Sequence, residues 1–328
     1  MTATKLGVAG LGYWGPNLAR NFDELADLTW LCDLDPDKLE RFSRRHPQAR
    51  LTANVTDLLE DPELDAVVIA TPVVTHAELA RRALAAGKHV FVEKPMALHA
   101  REAEELCALA EERELVLMPG HLLLYHPAVD KLKELIDSGE LGEIRYVYGN
   151  RQNLGKFRTD ENALGSLGAH DLSLILHLVG EEPSEVWARG ESYVHPPVED
   201  VVFCFLRFPS GKLAHMHLSW LDPQKIRRMT VVGSKKMAVF DDMELERKVT
   251  VYDKGEEPPP LGTYGEWQTR TGDIYVPKVP ADEPLRLECE HFLRLVRGRG
   301  DALAAARNGA AVVRALEQLQ NSLERAPA

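Results

Sequence analysis

Apolar runs and amphipathic stretches alternate along the first 120 residues of the chain. Runs without polar alternation predict buried strands at residues 6–9, 28–32, 65–70, 89–92 and 115–118. Polar or amphipathic stretches predict helices from Pro16 and at residues 36–46, 54–60, 75–86 and 99–113. Strands that are apolar throughout and alternate with helices are typical of a parallel sheet covered on both faces. Residues 1–120 are therefore predicted to form a doubly wound α/β domain with a parallel Rossmann sheet.

The pattern changes after residue 120. Helices are predicted at residues 127–138, 164–179, 284–296 and 302–324. A strand is predicted to begin over residues 143–151, and others at residues 184–194, 201–208, 212–220, 227–232, 237–240 and 246–252. The short turns between these strands suit antiparallel neighbours, and residues 254–283 are interpreted as a long surface excursion. Residues 121–328 are thus predicted to form an α+β domain on a large, open, mostly antiparallel sheet, which binds substrate and mediates oligomerisation.

The composition argues against several classes of protein. A chain of 328 residues is long enough for two domains, and 45% hydrophobic with 27% charged residues is ordinary for a globular protein. A net charge of −12 argues against nucleic-acid or anionic-membrane partners. The four cysteines have no metal-ligand spacing, and no apolar run is long enough to span a membrane. We therefore expect a cytoplasmic protein without a metal, and a homo-oligomer (dimer or tetramer) that covers the open sheet.

The first strand runs into a glycine-rich turn with the spacing of a dinucleotide-binding motif. Gly10 allows the tight turn, Gly12 lets the backbone approach a pyrophosphate, and Gly15 lets the following helix pack closely on the sheet. Asp33 lies about where an acidic side chain would accept hydrogen bonds from an adenosine ribose, which predicts NAD rather than NADP. The alternative is a glycine-rich turn without a ligand.

Further polar residues follow predicted strands at the edge where open parallel sheets bind ligands. These are Thr71 and Pro72 after one strand, and Glu93, Lys94 and Pro95 after the next. Lys94 is suited to donate a hydrogen bond to a substrate hydroxyl and to assist proton transfer. The alternative is a solvated lysine at a strand end.

Histidines supply the second set of candidates. His170, at a helix start four residues after Ser166, is a natural general base, while His177 on the same apolar face is interpreted as structural. His215 and His217 share a strand face but lack a third metal ligand, so we interpret them as exposed or interfacial. A separate pair, His121 and Tyr125, follows residues 115–118 and is predicted either to touch substrate or to line a domain boundary.

Arg151, Lys156 and Arg158 are predicted to cluster in a loop shortly before the helix that carries His170. Such a cluster could clamp a diphosphate, because arginine pairs with phosphate oxygens in a bidentate way. The alternatives are a solvated basic loop, or one that pairs with Asp160 and Glu161.

Taken together, these motifs resemble the glucose-fructose oxidoreductase, inositol dehydrogenase and MocA (Gfo/Idh/MocA) family. The quoted residues are the turn at residues 10–15, Thr71-Pro72 with His76, the segment 86–95 that ends in Glu-Lys-Pro, and residues 168–171. The resemblance implies cofactor contacts from Gly10, Gly12, Tyr13, Trp14, Gly15, Asp33, Thr71, Pro72, His76, Glu93, Lys94 and Pro95. It implies substrate contacts from Lys94, His121, Tyr125, Arg151, Lys156, Ser166 and His170.

In such enzymes a lysine and a histidine flank the reacting carbinol, and these are Lys94 and His170 here. Many members have an acid four positions before the histidine, where this chain has Ser166. Residues 120–128 and 219–233 are most similar to the branch that acts on UDP-N-acetylglucosamine at carbon 3. The expected function is therefore an NAD-dependent dehydrogenase of a sugar, with a nucleotide sugar as substrate. The alternatives are a free-sugar or inositol-type dehydrogenase and a non-catalytic NAD-binding regulator.

Overall fold

The computed structural model describes residues 3–155, 157–159, 161–258 and 265–324, which form two compact units. Among these residues, one unit comprises 3–125 and 283–314, and the other comprises those described between 126 and 282 together with 315–324.

The first unit contains a parallel sheet with the strand order β3-β2-β1-β4-β5-β6 among its described residues. Its strands are β1 (Lys5–Ala9), β2 (Asp27–Cys32), β3 (Arg50–Thr52), β4 (Ala66–Ile69), β5 (His89–Glu93) and β6 (Leu117–Gly120). The connecting helices are α1 (Gly15–Leu25), α2 (Pro36–Ser43), α3 (Thr56–Glu60), α4 (His76–Ala85) and α5 (Ala100–Glu112). This order is that of a dinucleotide-binding fold, so the predicted class is confirmed. The strand predicted at residues 115–118 begins two residues later and includes Pro119, which an edge strand tolerates.

Buried apolar side chains cover both faces of this sheet, as its strands without polar alternation require. On one face Phe22 of α1, Phe91 of β5 and Phe292 meet edge to face, with ring centroids 5.7–6.0 Å apart. Phe292 belongs to α8 (Pro284–Val296), and on the other face Ala306, Ala310 and Val313 of α9 (Ala302–Glu324) join the core. The prediction that residues 121–328 form one domain is therefore wrong for residues 283–314, which pack in the first unit.

The second unit contains a sheet with the strand order β14-β13-β12-β11-β7-β10-β9-β8 in the described part of the chain. Its strands are β7 (Ile144–Gln152), β8 (Glu185–Glu191), β9 (Val201–Arg207), β10 (Leu213–Ser219), β11 (Ile226–Gly233), β12 (Met237–Asp241), β13 (Val249–Glu257) and β14 (Gln268–Tyr275). Its helices are α6 (Pro127–Asp137) and α7 (Ala169–Val179). Neighbouring strands are antiparallel except β7 and β10, which confirms the predicted open, mostly antiparallel sheet.

The interpretation of residues 254–283 as a surface excursion is wrong where the chain is described. β13 continues to Glu257, and β14 then pairs with it in antiparallel register at the end of the sheet. β14 is mostly exposed, so it lacks the apolar positions by which a strand is recognised.

The two faces of this second sheet differ sharply. Val202, Cys204 and Leu206 of β9 are buried on the face that α7 covers, whereas Phe203 and Phe205 between them are exposed. On the exposed side rings stack across strands, and we call this set the aromatic face: Tyr146, Tyr148, Trp187, Phe203, Phe205, His215 and His217.

Candidate active site

The glycine-rich turn between β1 and α1 has the geometry that its sequence predicts. Gly10 has φ +95°, and a Cβ there would lie 2.5 Å from the carbonyl oxygen of Ala70. A Cβ on Gly15 would lie 2.0 Å from the carbonyl oxygen of Gly10, so the start of α1 packs directly on the turn. A Cβ on Gly12, in contrast, would meet nothing within 4 Å. The turn is thus tight where it packs and open at Gly12, where a pyrophosphate would approach.

Two aromatic residues complete this turn. Tyr13 is exposed and Trp14 is half-buried, and their rings meet edge to face. Trp14 precedes the first residue of α1, where no side chain caps the helix, and Pro16 occupies its first turn. The N-terminus of α1 therefore presents backbone N–H groups and the positive end of its dipole without a capping side chain.

Asp33 follows β2 and faces the glycine-rich turn. Its Oδ2 accepts the N–H of Leu11 at 2.7 Å, its Oδ1 accepts the N–H of Asp35 at 2.9 Å, and Lys38 Nζ lies 3.2 Å from Oδ1. Burial raises the pKa of Asp33, but these hydrogen bonds and the charge of Lys38 outweigh it, so its pKa is lowered. Because Lys38 Nζ also lies 3.3 Å from Oδ2, these contacts occupy the roughly four acceptor positions of the carboxylate, and a ribose hydroxyl would replace one of the Lys38 contacts.

His76, for which a cofactor contact is predicted, is buried between two backbone carbonyls. Its Nε2 lies 2.8 Å from the carbonyl oxygen of Thr71 and its Nδ1 2.8 Å from that of Pro95. The hydroxyl of Thr71 also bonds that of Thr75, and Pro72 lies directly before the 3₁₀ turn Val73–Thr75. His76 thus ties together the segments that follow β4 and β5.

Glu93 is the last residue of β5 and Lys94 follows it, and both residues are partly buried. Burial raises the pKa of Glu93 to about 7, although the charge of Lys94 and the N–H of Lys94, donated to Oε2 at 3.2 Å, oppose this rise. The pKa of His121 is lowered to about 4, mainly by burial and also by the charge of Lys94. His121 is therefore a neutral imidazole at pH 7, which leaves Lys94 as the cation of this group.

Tyr125 is half-buried beside His291, with a ring separation of 5.3 Å, and burial raises its pKa. Its hydroxyl lies 3.9 Å from the sulfur of Met118. Glu288 of α8 is fully buried near Tyr125 and Glu93, and burial raises its pKa well above the usual value. Sequence analysis missed Glu288, although its position among the apolar residues of α8 is a signal that could have found it.

His170 is the second residue of α7 and is partly exposed. The chain enters α7 through a π-helical turn, Leu164–Gly168, in which Ser166 Oγ accepts the indole N–H of Trp220 at 3.2 Å. Ser166 is therefore held by the second sheet, four residues before His170. Neutral serine in this position cannot act as the charged partner that an acid would provide.

The predicted cluster of Arg151, Lys156 and Arg158 is not a basic loop in the described structure. Arg151 lies within β7 and is 6% exposed, and its Nε and Nη2 lie 2.8 Å and 2.7 Å from Oδ1 of Asp171. Arg158 forms an ion pair with Glu161, as one alternative anticipated, and Lys156 lies outside the described residues. The guanidinium of Arg151 is thus engaged by a carboxylate, which contradicts the prediction that it clamps a phosphate.

His215 and His217 contribute to the aromatic face rather than to a metal site. Among the described residues no group of three His, Cys, Asp or Glu side chains is placed to hold a metal ion. Within the same residues no helix has the length and apolar character of a membrane span. His177 of α7 is largely buried, which lowers its pKa.

Comparison with known proteins adds the family context. Residues 4–121 match the GFO/IDH/MocA oxidoreductase family, described as an NAD-binding Rossmann fold, and residues 129–239 match the GFO/IDH/MocA C-terminal domain. UDP-N-acetylglucosamine 3-dehydrogenase of Acidithiobacillus ferrooxidans is 32% identical over 258 residues, which are 78% of this chain and 79% of that protein. The scyllo-inositol 2-dehydrogenase (NAD(+)) of Bacillus subtilis is 26% identical over 304 residues, or 88% and 85% of the two chains.

Solved structures agree with these sequence matches. A structure of the Acidithiobacillus ferrooxidans UDP-N-acetylglucosamine 3-dehydrogenase superposes with a TM-score of 0.83 at 27% identity, and covers 99% of both chains. GenD2 from gentamicin A biosynthesis, solved in complex with NAD, superposes with a TM-score of 0.80 at 25% identity, over 99% of this chain and 95% of GenD2.

Proposed function

The chain belongs to the GFO/IDH/MocA family of NAD-binding oxidoreductases that act on sugar hydroxyl groups, and we propose that its substrate is UDP-N-acetylglucosamine, oxidised at carbon 3. The observation that carries this proposal is the 32% identity to the UDP-N-acetylglucosamine 3-dehydrogenase across four fifths of its length. Related branches share the fold and differ in their substrates, so the substrate itself is what the experiment must decide.

The turn at residues 10–15 fits NAD, since Gly12 leaves the space in which a pyrophosphate would lie and α1 begins without a side-chain cap. When bound, NAD supplies an acceptor for the hydride that leaves the carbinol carbon. Asp33 would hold the ribose hydroxyls, and Thr71 and Pro95 would border the cofactor on segments fixed by His76.

In the proposed reaction His170 accepts the proton of the substrate hydroxyl, while Lys94 donates a hydrogen bond to the same oxygen and stabilises its developing negative charge. Lys94 belongs to the first unit and His170 to the second. We propose that both act on the same hydroxyl. Neutral His121 suits this arrangement, because a second cation beside Lys94 would disfavour the protonated lysine.

The alternative substrate class is a free sugar or an inositol-type polyol. The burial of Arg151 against Asp171 favours this class, since it removes one of the three cations that were predicted to bind a diphosphate. Two inositol dehydrogenases, from Bacillus subtilis and Thermotoga maritima, are 26% and 27% identical to this chain.

NADH formation, followed by absorbance with NAD and a panel of sugars, separates these classes. UDP-N-acetylglucosamine should give a kcat/KM at least about a hundredfold above those of N-acetylglucosamine and inositol. Lys94→Met and His170→Ala should each lower kcat by about a hundredfold or more and leave the Kd for NAD nearly unchanged. His177→Ala on the same helix is the control and should retain turnover. Equal turnover of free sugars would support the alternative class, and an active His170→Ala would refute the proposed base.

We also propose a homo-oligomer in which the aromatic face of one copy covers that of a second. Phe203, Phe205 and Trp187 are each nearly half exposed although they lie side by side on neighbouring strands. Apolar patches of this kind mark interaction surfaces, and a twofold axis would place the same patch against itself. Phe205→Asp should convert the oligomer to a monomer of 36.7 kDa in light scattering, whereas Leu245→Asp, at an exposed apolar residue outside this face, should not. An unchanged mass for Phe205→Asp would refute this interface.

A cytoplasmic location is part of the same proposal. The four cysteines are free, and burial raises the pKa of each thiol, which keeps them protonated and unreactive. Such cysteines suit a reducing compartment.

A further inference from the structure

We infer that Arg151 and Asp171 form a positioning pair that fixes the first turn of α7, and with it His170, against the central strand β7. The inference rests on the proposed role of His170 as the base. It assigns to both residues an effect on turnover that neither a phosphate clamp nor a merely stabilising ion pair would have.

Side-chain alternation places Arg151 on the covered face of the sheet. Val147, Gly149 and Arg151 of β7 are all buried and point to the same side, towards α7. Asp171, also buried, is the third residue of α7 and directly follows His170. The pair therefore joins the sheet to the helix turn that carries the proposed base.

One hydrogen bond and one ion-pair contact give this pair a defined direction. Nε of Arg151 donates to Oδ1 of Asp171 at 2.8 Å, and Nη2 lies 2.7 Å from the same oxygen, so the planar guanidinium fixes the position of one oxygen. Burial raises the pKa of Asp171, and the charge of Arg151 opposes that rise. Because both side chains are buried, a shift of α7 would break these contacts in a medium that cannot replace them.

The second carboxylate oxygen of Asp171 lies in a tightly packed part of the structure. Oδ2 of Asp171 is buried without a hydrogen-bond partner among the described residues, and a Cβ on Gly149 would lie only 3.0 Å from it. Gly149 is thus the residue type that leaves space for the carboxylate beneath the helix. The other charged group that acts on Asp171 is Arg227, which itself pairs with Asp242 at 3.3 Å.

The sheet offers a matched control. Arg228 donates through Nε at 3.0 Å and Nη2 at 2.6 Å to one oxygen of Asp241, so here too one carboxylate oxygen meets two guanidinium nitrogens. This pair joins β11 to β12 rather than the sheet to α7, and its arginine side chain is half exposed.

The test compares Arg151→Met with Arg228→Met in the full-length protein, using the best substrate of the sugar panel. Misplacing a catalytic group by about 1 Å can cost a hundredfold, so we expect Arg151→Met to lower kcat about ten- to a hundredfold. KM should stay within about twofold, because the pair does not touch substrate in this scheme. Amide hydrogen exchange at residues 169–172 should become about tenfold faster or more. Arg228→Met should leave kcat and this exchange unchanged.

Two further variants distinguish a loss of positioning from a loss of folding. Arg151→Met with Asp171→Leu replaces the buried pair by apolar side chains, a change that buried ion pairs often tolerate. The double variant should fold yet keep a lowered kcat, since apolar contacts do not restore the directed bonds. Gly149→Ala leaves both charges in place but crowds Oδ2, and it should also lower kcat.

Four results would overturn the inference. A raised KM with normal kcat in Arg151→Met would establish a substrate contact instead. Normal kcat in the double variant, or an equal loss in Arg228→Met, would reduce the pair to a stabilising contact. His170→Ala is measured in parallel: an active His170→Ala refutes the proposed function, whereas an inactive one beside a fully active Arg151→Met refutes only the positioning pair.

Discussion

Replacing Asp33 by Asn tests how the chain discriminates NAD from NADP. In the structure the carboxylate of Asp33 is bound by the N–H groups of Leu11 and Asp35 and by Lys38. The extra phosphate of NADP sits on the ribose 2′ oxygen, which is the group that Asp33 would otherwise bind. We therefore expect Asp33→Asn to remove a repulsion for NADP and an acceptor for NAD at the same time.

The size of the effect follows from the distances. Two unit charges about 4 Å apart interact by about 4 kcal/mol at an effective dielectric constant of about 20. Lys38 Nζ, 3.2 Å and 3.3 Å from the two oxygens of Asp33, offsets part of this repulsion in the wild-type protein. We expect a net gain of about 1.5–3 kcal/mol, so the Kd for NADP should fall about ten- to a hundredfold. The Kd for NAD should rise about tenfold with the loss of a charged acceptor.

Isothermal titration calorimetry of both cofactors measures this change in preference. Asp35→Asn is the matched control, because Asp35 lies two residues away and caps α2 through the N–H of Asp37. It should leave the ratio of the two Kd values unchanged. Adding Lys38→Met to Asp33→Asn should reduce the gain for NADP without abolishing it, since a positive charge near the phosphate is lost while the repulsion from Asp33 stays absent. A ratio within about twofold of wild type for Asp33→Asn would refute the electrostatic argument.

Two predictions concern stability. Phe292→Ala should lower the free energy of unfolding by about 3–5 kcal/mol in urea titrations, because it empties the contact between α1, β5 and α8; a loss below about 1 kcal/mol would contradict this packing. Burial raises the pKa of Glu93 from its usual 4.5 to about 7, so the native state binds this proton more tightly and the free energy of unfolding falls as pH rises between these values. Glu93→Gln should therefore lose less stability than wild type over this range.

The strands of the first unit could be predicted because they are buried on both faces. Runs such as residues 65–70 and 89–92 are apolar throughout, which distinguishes them from amphipathic helices. β3 has only three residues and β14 is largely exposed, so neither leaves an apolar pattern. The predicted boundary of the first unit was wrong for another reason. The apolar face of α8 indicates that the helix packs against a sheet, but it does not indicate which of the two sheets.

In the candidate site, too, residues within one short segment could be predicted from the sequence, whereas contacts between distant segments could not. The glycine spacing and Asp33 could be predicted because these residues lie within about 25 residues of one another in the chain, whereas the packing of Gly10 against Ala70 is not indicated by the spacing. A cofactor contact was predicted for His76 from its place in a motif. Its hydrogen-bond partners in the structure, the carbonyls of Thr71 and Pro95, belong to two different loops that only the sheet brings together.

Arg151 shows which signal can improve such a prediction. Counting charges placed it in a basic cluster, whereas strand alternation puts it on the same face as buried Val147. A charged side chain at an inward position requires a partner of opposite charge, because an unpaired buried charge costs several kcal/mol. The same rule applies to Glu288, which shares the apolar face of α8 with Leu285 and Phe292. A charge that interrupts an apolar pattern therefore indicates a buried polar contact, while the identity of its partner, Asp171 for Arg151, follows only from the fold.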